Sequence, residues 1–171
     1  INKLKKSYHR DGATIFLYPV SDPKRYGIAE FDKNNRVISI TEKPSKPKSK
    51  YAVTGIYFYD EKVIEYAKDI KPSHRGELEI TSINQMYLKN AQLNAEIMGR
   101  GSAWLDTGTF ESLSEASIYV QTLQKRQGLK IGCPEEIAWS KKWINDEDLR
   151  LLADKYPNSE YSKYLKELLN I

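Results

Sequence analysis

Four short stretches of the chain put charge beside glycine or at the end of an apolar run: Tyr26-Gly27, Glu42-Lys43-Pro44, Arg75-Gly76-Glu77, and Asp106 between Ala103-Trp104-Leu105 and Thr107-Gly108-Thr109. Lysine and arginine can neutralise an anion, the lysine as a compact point charge and the arginine as a planar fork. A glutamate accepts hydrogen bonds from hydroxyl groups, and an aspartate is a hard oxygen ligand for a metal ion. Each stretch also has a plainer reading. Lys43 can be a solvated lysine, Arg75 a surface cation near a helix start and Gly27 a turn glycine. Asp106 can cap a turn, because Asp, Thr and Gly are turn residues, or stand at the carboxyl end of a strand, where α/β sheets bind ligands. Glu42 and Lys43 are adjacent, so a regular strand would point them to opposite faces.

Other chemistries lack their parts. His9 and His74 are isolated, with no Cys or His at metal-ligand spacing, which argues against zinc. There is no Gly-x-Ser-x-Gly elbow and no Gly-rich phosphate loop, and Cys133 precedes a proline with no base beside it. The net charge of +4 comes from 27 basic and 23 acidic side chains spread along the chain, a mild bias that gives no nucleic-acid footprint. Twelve tyrosines fall at packing intervals and form no base-stacking platform. A single cysteine excludes an internal disulfide and makes a cytoplasmic address the default. The longest apolar run, "ATIFLYPV", is too short to span a bilayer, and the first residues lack the apolar core of a signal peptide.

The elements that must position these residues follow from hydrophobic periodicity. "ATIFLYPV" reads as a buried central strand, "IAEFD" and "RVISITEKP" as a hairpin across "KNN", and "YAVTGIYFYD" as another buried strand. A helix over 61–70 places Val63, Ile64, Ala67 and Ile70 on one face and stops before Pro72. A second spans "RGELEITSINQMYLKN", with Gly76 as cap, Glu77 and Glu79 complementing the dipole, and Leu78, Ile83 and Tyr87 on its apolar side. "LNAEIM" and "AWLD" read as short strands. From Thr109 a long amphipathic helix runs to Gly128; a helix over "CPEEIAWSKKW" has Pro134 in its first position, and two more helices fill the tail. The expected architecture is an α/β core over residues 1–130 with a helical section over 131–171.

In order along the chain, "YGIAEFD", "EKPSKPKSKYAVTGIYFYD", "RGELEIT", "GRGSAWLDTGT" and "RQGLKIGCPEEIA" closely resemble the glucose-1-phosphate thymidylyltransferases of the sugar nucleotidyltransferase family. The resemblance covers nearly the whole chain. It implies a partial Rossmann-like sheet with flanking helices. The family's Gly-rich, Arg-containing signature loop and its Gly-Asp metal ligand are not in this sequence. The resemblance therefore implies the carboxyl-terminal portion of such an enzyme, starting on the helix before a central strand and inactive alone. The reaction it implies is attack by the phosphate of glucose 1-phosphate on the α-phosphorus of dTTP, giving dTDP-glucose and pyrophosphate, with Mg2+ as cofactor and a homo-oligomer as the intact form; it implies no nucleic-acid or membrane partner.

The resemblance also assigns roles. Lys43 would neutralise the sugar phosphate and Glu42 accept from the sugar hydroxyls, which requires the strand to twist or bulge before Pro44. Gly27, beside Tyr26, would admit the hexose, Val53 and Gly55 would line the pocket, and Arg75 at the head of a helix would be a second cation. Trp104 would shape the wall beside Asp106, and Asp106 would ligate the metal. Ser82 stands where the family has an acidic residue and Ser102 where an aromatic is common. "CPEEIA" lies in a region tied in the family to feedback binding and subunit contact, against the plainer reading of a helix start. Two alternatives stay open: a non-catalytic sugar-phosphate binding or oligomerisation piece, and a uridylyl- or adenylyltransferase of the same family.

Overall fold

The computed structural model describes residues 11–34 and 36–169. The basic opening segment with His9, the middle of the hairpin turn at Asn35 and the last two residues lie outside the described residues. The chain packs as two compact units, residues 1–104 and 105–171.

The first unit is built on a five-stranded sheet in the order β3-β2-β4-β1-β5. Strand β1 (Ala13–Pro19) is the apolar run, buried over its first five residues because it lies inside the sheet between β4 and β5. β2 (Gly27–Phe31) and β3 (Val37–Glu42) form the expected antiparallel hairpin. Asp32 holds its turn by accepting from the backbone N–H groups of Asn34 and Arg36. β4 (Tyr51–Tyr59) pairs antiparallel with β1 and β2, and β5 (Leu93–Ile97) parallel with β1. β4 is buried only in part: Ile15 pairs with Tyr57 but Leu17 with Val53, so β4 carries extra length opposite Phe16, where Gly55 and Ile56 are exposed. Thr54, fully buried, anchors this bulge by donating to the Phe16 carbonyl at 3.0 Å.

Two helices complete this unit. In α1 (Val63–Asp69) Val63 and Tyr66 turn inward, followed by Ile70 at the C-cap, and they pack with Tyr59, Ile83 and Tyr87. Ile64 is 61% exposed and Ala67 is exposed, so the expected face is corrected by about one residue: Tyr66 supplies the larger apolar surface and takes the core position. Helix α2 (Ile80–Lys89) begins later than its apolar pattern suggests. Residues 73–77 close on themselves, with the Ser73 N–H donating to the Glu77 carbonyl and the Gly76 N–H to the Ser73 carbonyl. Gly76, at φ +79, serves that turn and caps no helix, and Leu78 stays exposed. Ile83 and Tyr87 are buried as expected, joined by Thr81 and Asn84.

The expected strand over residues 103–106 does not form. After the Met98 N–H bonds the Leu17 carbonyl, the chain turns at Gly99–Ser102 and runs without regular structure to Thr109. A strand needs a partner for its backbone groups, and the β1–β5 ladder ends at Leu17 and Ile97.

In the second unit α3 (Phe110–Gln127) opens on a capping box between Thr109 and Ser112 and stops at Gly128, whose φ of +69 ends the helix. α4 (Pro134–Ser140), α5 (Asp146–Asp154) and α6 (Glu160–Leu168) match the expected helices. They enclose Cys133, Leu149, Ala153, Tyr164, Leu165 and Leu168. The Tyr161 and Tyr164 hydroxyls donate to Glu135 and Glu136, both at 2.6 Å, which ties α4 to α6; burial pushes both phenols up from their ordinary pKa. "CPEEIA" is thus a helix start with a packing role, Cys133 being buried at its cap. Among the described residues no helix is long and apolar enough to cross a membrane.

Candidate functional site

The hairpin register places Gly27 opposite Glu42, and the Lys43 N–H closes the ladder on the Tyr26 carbonyl at 3.0 Å. Lys43 itself has φ +40, a left-handed conformation that costs a side-chain-bearing residue about 1–2 kcal/mol and that is awkward before Pro44. Here the strand ends. The alternation that would send Lys43 to the face opposite Glu42 is broken at Lys43 itself, so the departure from regularity that a shared role needs is present.

Glu42 is gripped from the other side of the site. The hydroxyl of buried Thr81 donates to its Oε2 at 2.5 Å, and Arg75 Nη1 lies 3.9 Å from its Oε1. A Cβ on Gly27 would stand 3.0 Å from both Glu42 Oε2 and Thr81 Oγ1, and 4.0 Å from the Val53 Cβ. Gly27, Glu42, Val53, Thr81 and Arg75 therefore meet in one place, and the missing side chain of Gly27 leaves the opening. Burial, with the Glu42 charge added, pushes the Tyr57 phenol up, which marks it as another neighbour.

Arg75 is not at the head of α2 but in the turn before it. Its guanidinium pairs with Glu77 at 2.9 Å and Glu79 at 3.3 Å, and its backbone N–H donates to the Ser73 hydroxyl at 3.1 Å. Tyr26 packs edge-on against Trp104, with ring centroids 5.0 Å apart, and Tyr18 adds a third ring at 6.1 Å from Trp104. These rings make an aromatic wall beside Gly27. Gly55 falls in the bulged part of β4, where an added Cβ would meet nothing within 4 Å.

Asp106 belongs to the second unit. Its Oδ1 accepts from the Gly108 N–H at 3.2 Å, so the turn-capping reading describes its local geometry, and the strand-end reading is corrected because no strand precedes it. Among the described residues no group of three or more His, Cys, Asp or Glu side chains could hold a metal ion. The donor chemistry still fits one ligand of a magnesium ion: a carboxylate has about four lone-pair sites and Mg2+ is usually held by one or two carboxylates together with substrate phosphates.

The arrangement can hold an anion near Lys43 and Arg75 while Glu42 accepts from hydroxyl groups beside an aromatic wall. The family model described as nucleotidyl transferase matches residues 1–123. The chain belongs to the nucleotidyl transferase family. A glucose-1-phosphate thymidylyltransferase of Neisseria meningitidis serogroup A is 54% identical over 158 residues, 92% of this chain and 55% of that protein. One of Mycolicibacterium smegmatis is 50% identical over 167 residues, 98% of this chain and 58% of that protein. A Bacillus anthracis protein assigned to the same transferases, crystallised with a sucrose, superposes with a TM-score of 0.59 at 46% identity, over 69% of this chain and 46% of that one. The chain spans about half the length of the curated relatives it matches.

In this nucleotidyl transferase chain the structure brings together Gly27, Glu42, Val53 and Arg75 in the first unit, with the Tyr26–Trp104 ring pair beside Gly27 and Lys43 joined to Tyr26 through its backbone N–H. Sequence reasoning missed Thr81, Glu77 and Glu79 as the groups that hold Glu42 and Arg75. Thr81 was detectable in part: it falls on the same helical face as Asn84 and Tyr87, a hydroxyl where the pattern wants an apolar side chain.

Proposed function

We propose that this chain supplies the sugar-phosphate side of a glucose-1-phosphate thymidylyltransferase, in which the phosphate of glucose 1-phosphate attacks the α-phosphorus of dTTP. The new bond joins a sugar-phosphate oxygen to that phosphorus, and the bond to the departing pyrophosphate breaks. The observation that carries the reading is the convergence of Gly27, Glu42, Thr81 and Arg75 beside Lys43; the names of the relatives favour thymidine as the base.

Two anions must meet, so catalysis rests on cations and positioning more than on proton transfer. Lys43 and Arg75 offset the charge of the sugar phosphate, Glu42 orients the hexose through its hydroxyls, and Trp104 with Tyr26 excludes water from one side of it. Asp106 would ligate Mg2+, which when bound offsets the repulsion between the two phosphate-bearing substrates. Val53 and Gly55 belong to this reading as lining residues. So do a cytoplasmic location, a homo-oligomeric intact enzyme and a functional division near residue 130, which is distinct from the break in packing after residue 104.

Steady-state dTDP-glucose synthesis tests the reading in a full-length transferase carrying this sequence, for instance one whose remaining length comes from the N. meningitidis relative. Arg75→Ala should raise KM for glucose 1-phosphate about tenfold, the scale of one charge-assisted hydrogen bond, and leave KM for dTTP nearly unchanged. Equal damage to both substrates would remove Arg75 from the sugar-phosphate site. Gly27→Ala should act through shape alone, because the added methyl meets Glu42 and Thr81 at 3.0 Å and displaces the carboxylate. The expected result is a several-fold higher KM for the sugar phosphate with an unchanged melting temperature; an unchanged KM would show that Glu42 does not need its present position.

A further inference from the structure

Arg75 is bracketed by carboxylates of unlike character. Glu79 is only 12% exposed, lies 3.3 Å from Nη1 and also accepts the Ser73 hydroxyl at 3.0 Å, while that hydroxyl in turn accepts the Arg75 backbone N–H at 3.1 Å. Glu79, Ser73 and Arg75 thus form one tied unit at the approach to α2. Glu77 is 59% exposed and lies 2.9 Å from Nη2. Glu42 stands farther from Nη1, at 3.9 Å. A guanidinium recognises phosphate through a forked pair of N–H donors, and Glu79 and Glu77 already sit on Nη1 and Nη2, so a phosphate that forks across the two Nη atoms competes with a carboxylate there.

Which carboxylate gives way follows from solvation. Glu77 regains water on release, so its pair has the small net value of an exposed ion pair. Glu79 lies in a less hydrated place and is bonded twice, so its release would leave a charge with poor compensation. We propose that Arg75 is a divided guanidinium: Glu79, through Ser73, is the positioning residue that holds it in place, and Glu77 is a built-in competitor that the incoming sugar phosphate displaces. This inference rests on the reading of Arg75 as a sugar-phosphate cation. It assigns the site a weakened affinity for its anionic substrate, set by the chain itself.

The consequence is a pair of substitutions with opposite signs. In the full-length transferase, Glu77→Gln should lower both Kd and KM for glucose 1-phosphate about threefold, the scale of losing an exposed competing pair. Glu79→Gln should raise them about tenfold, because Arg75 loses its anchor. Neither should move KM for dTTP. The gain in Glu77→Gln should shrink as salt is raised, since an exposed pair is screened. Glu77 sits in an exposed turn and its substitution threatens no core, so its sign decides even if Glu79→Gln folds poorly. An unchanged or weakened affinity for glucose 1-phosphate in Glu77→Gln would overturn the inference, as would a gain that salt does not diminish. Arg75→Ala separates the two failures: if it leaves glucose 1-phosphate binding intact, the reading of Arg75 falls and the division falls with it; if it weakens that binding selectively while Glu77→Gln does not tighten it, only the division falls.

Discussion

Asp106→Asn in the full-length transferase is expected to lower turnover at least about a hundredfold, the scale of losing one transition-state stabilising contact, with the fold intact. The local structure makes this substitution a clean discriminator. Asp106 Oδ1 accepts the Gly108 N–H, and an asparagine carbonyl oxygen can accept the same bond, so the turn survives. What the substitution removes is the negative charge, which matters to a magnesium ion and hardly matters to a turn. Turnover against magnesium concentration, measured for both proteins at matched thermal stability, should show a large fall in rate and a higher magnesium requirement for the variant. Near-normal rates with an unchanged magnesium requirement would leave Asp106 a turn residue only.

Lys43→Ala is expected to raise KM for glucose 1-phosphate about thirtyfold, corresponding to about 2 kcal/mol for a charge-assisted contact to phosphate, with little change for dTTP. Its backbone supplies a control that few sites offer. Lys43 occupies φ +40, a region glycine enters without penalty, so Lys43→Gly should stabilise the fold by about 1 kcal/mol while losing sugar-phosphate affinity as Lys43→Ala does. A strained residue whose relief makes the protein more stable and less able to bind its substrate is held there for function. If Lys43→Gly bound glucose 1-phosphate normally, the ammonium group would have no part in the site.

Much of the site could be read in the sequence because its parts lie at the ends of well-patterned elements. The alternation in β2 and β3 fixes a hairpin, and the hairpin alone brings Tyr26-Gly27 to Glu42-Lys43. The need for an irregularity before Pro44 was also legible, since a regular strand could not have turned Glu42 and Lys43 to one ligand. Less legible was anything set by contacts between elements. The start of α2 depends on a turn in which Ser73 and Glu77 bond each other, so an apolar residue at the right spacing, Leu78, ends up outside the helix. The "AWLD" segment has the residues of a strand and no neighbour to pair with. In α1, Tyr66 displaced Ile64 from the core because size and the stacked tyrosines opposite it, not hydropathy alone, decide which face turns inward. Of the three carboxylates around Arg75, Glu77 and Glu79 lie near it in sequence in the segment before α2, whereas Glu42 arrives from the end of β3, a meeting that no local pattern encodes.

A crystal structure of the full-length transferase carrying this sequence, with glucose 1-phosphate bound, tests the sugar-phosphate site most directly. Phosphate oxygens are expected within about 3 Å of Lys43 Nζ and the Arg75 guanidinium, with hexose hydroxyls donating to Glu42 and the ring passing over Gly27. A sugar phosphate bound elsewhere, with Lys43 in solvent and Arg75 still held by its carboxylates, would contradict that expectation.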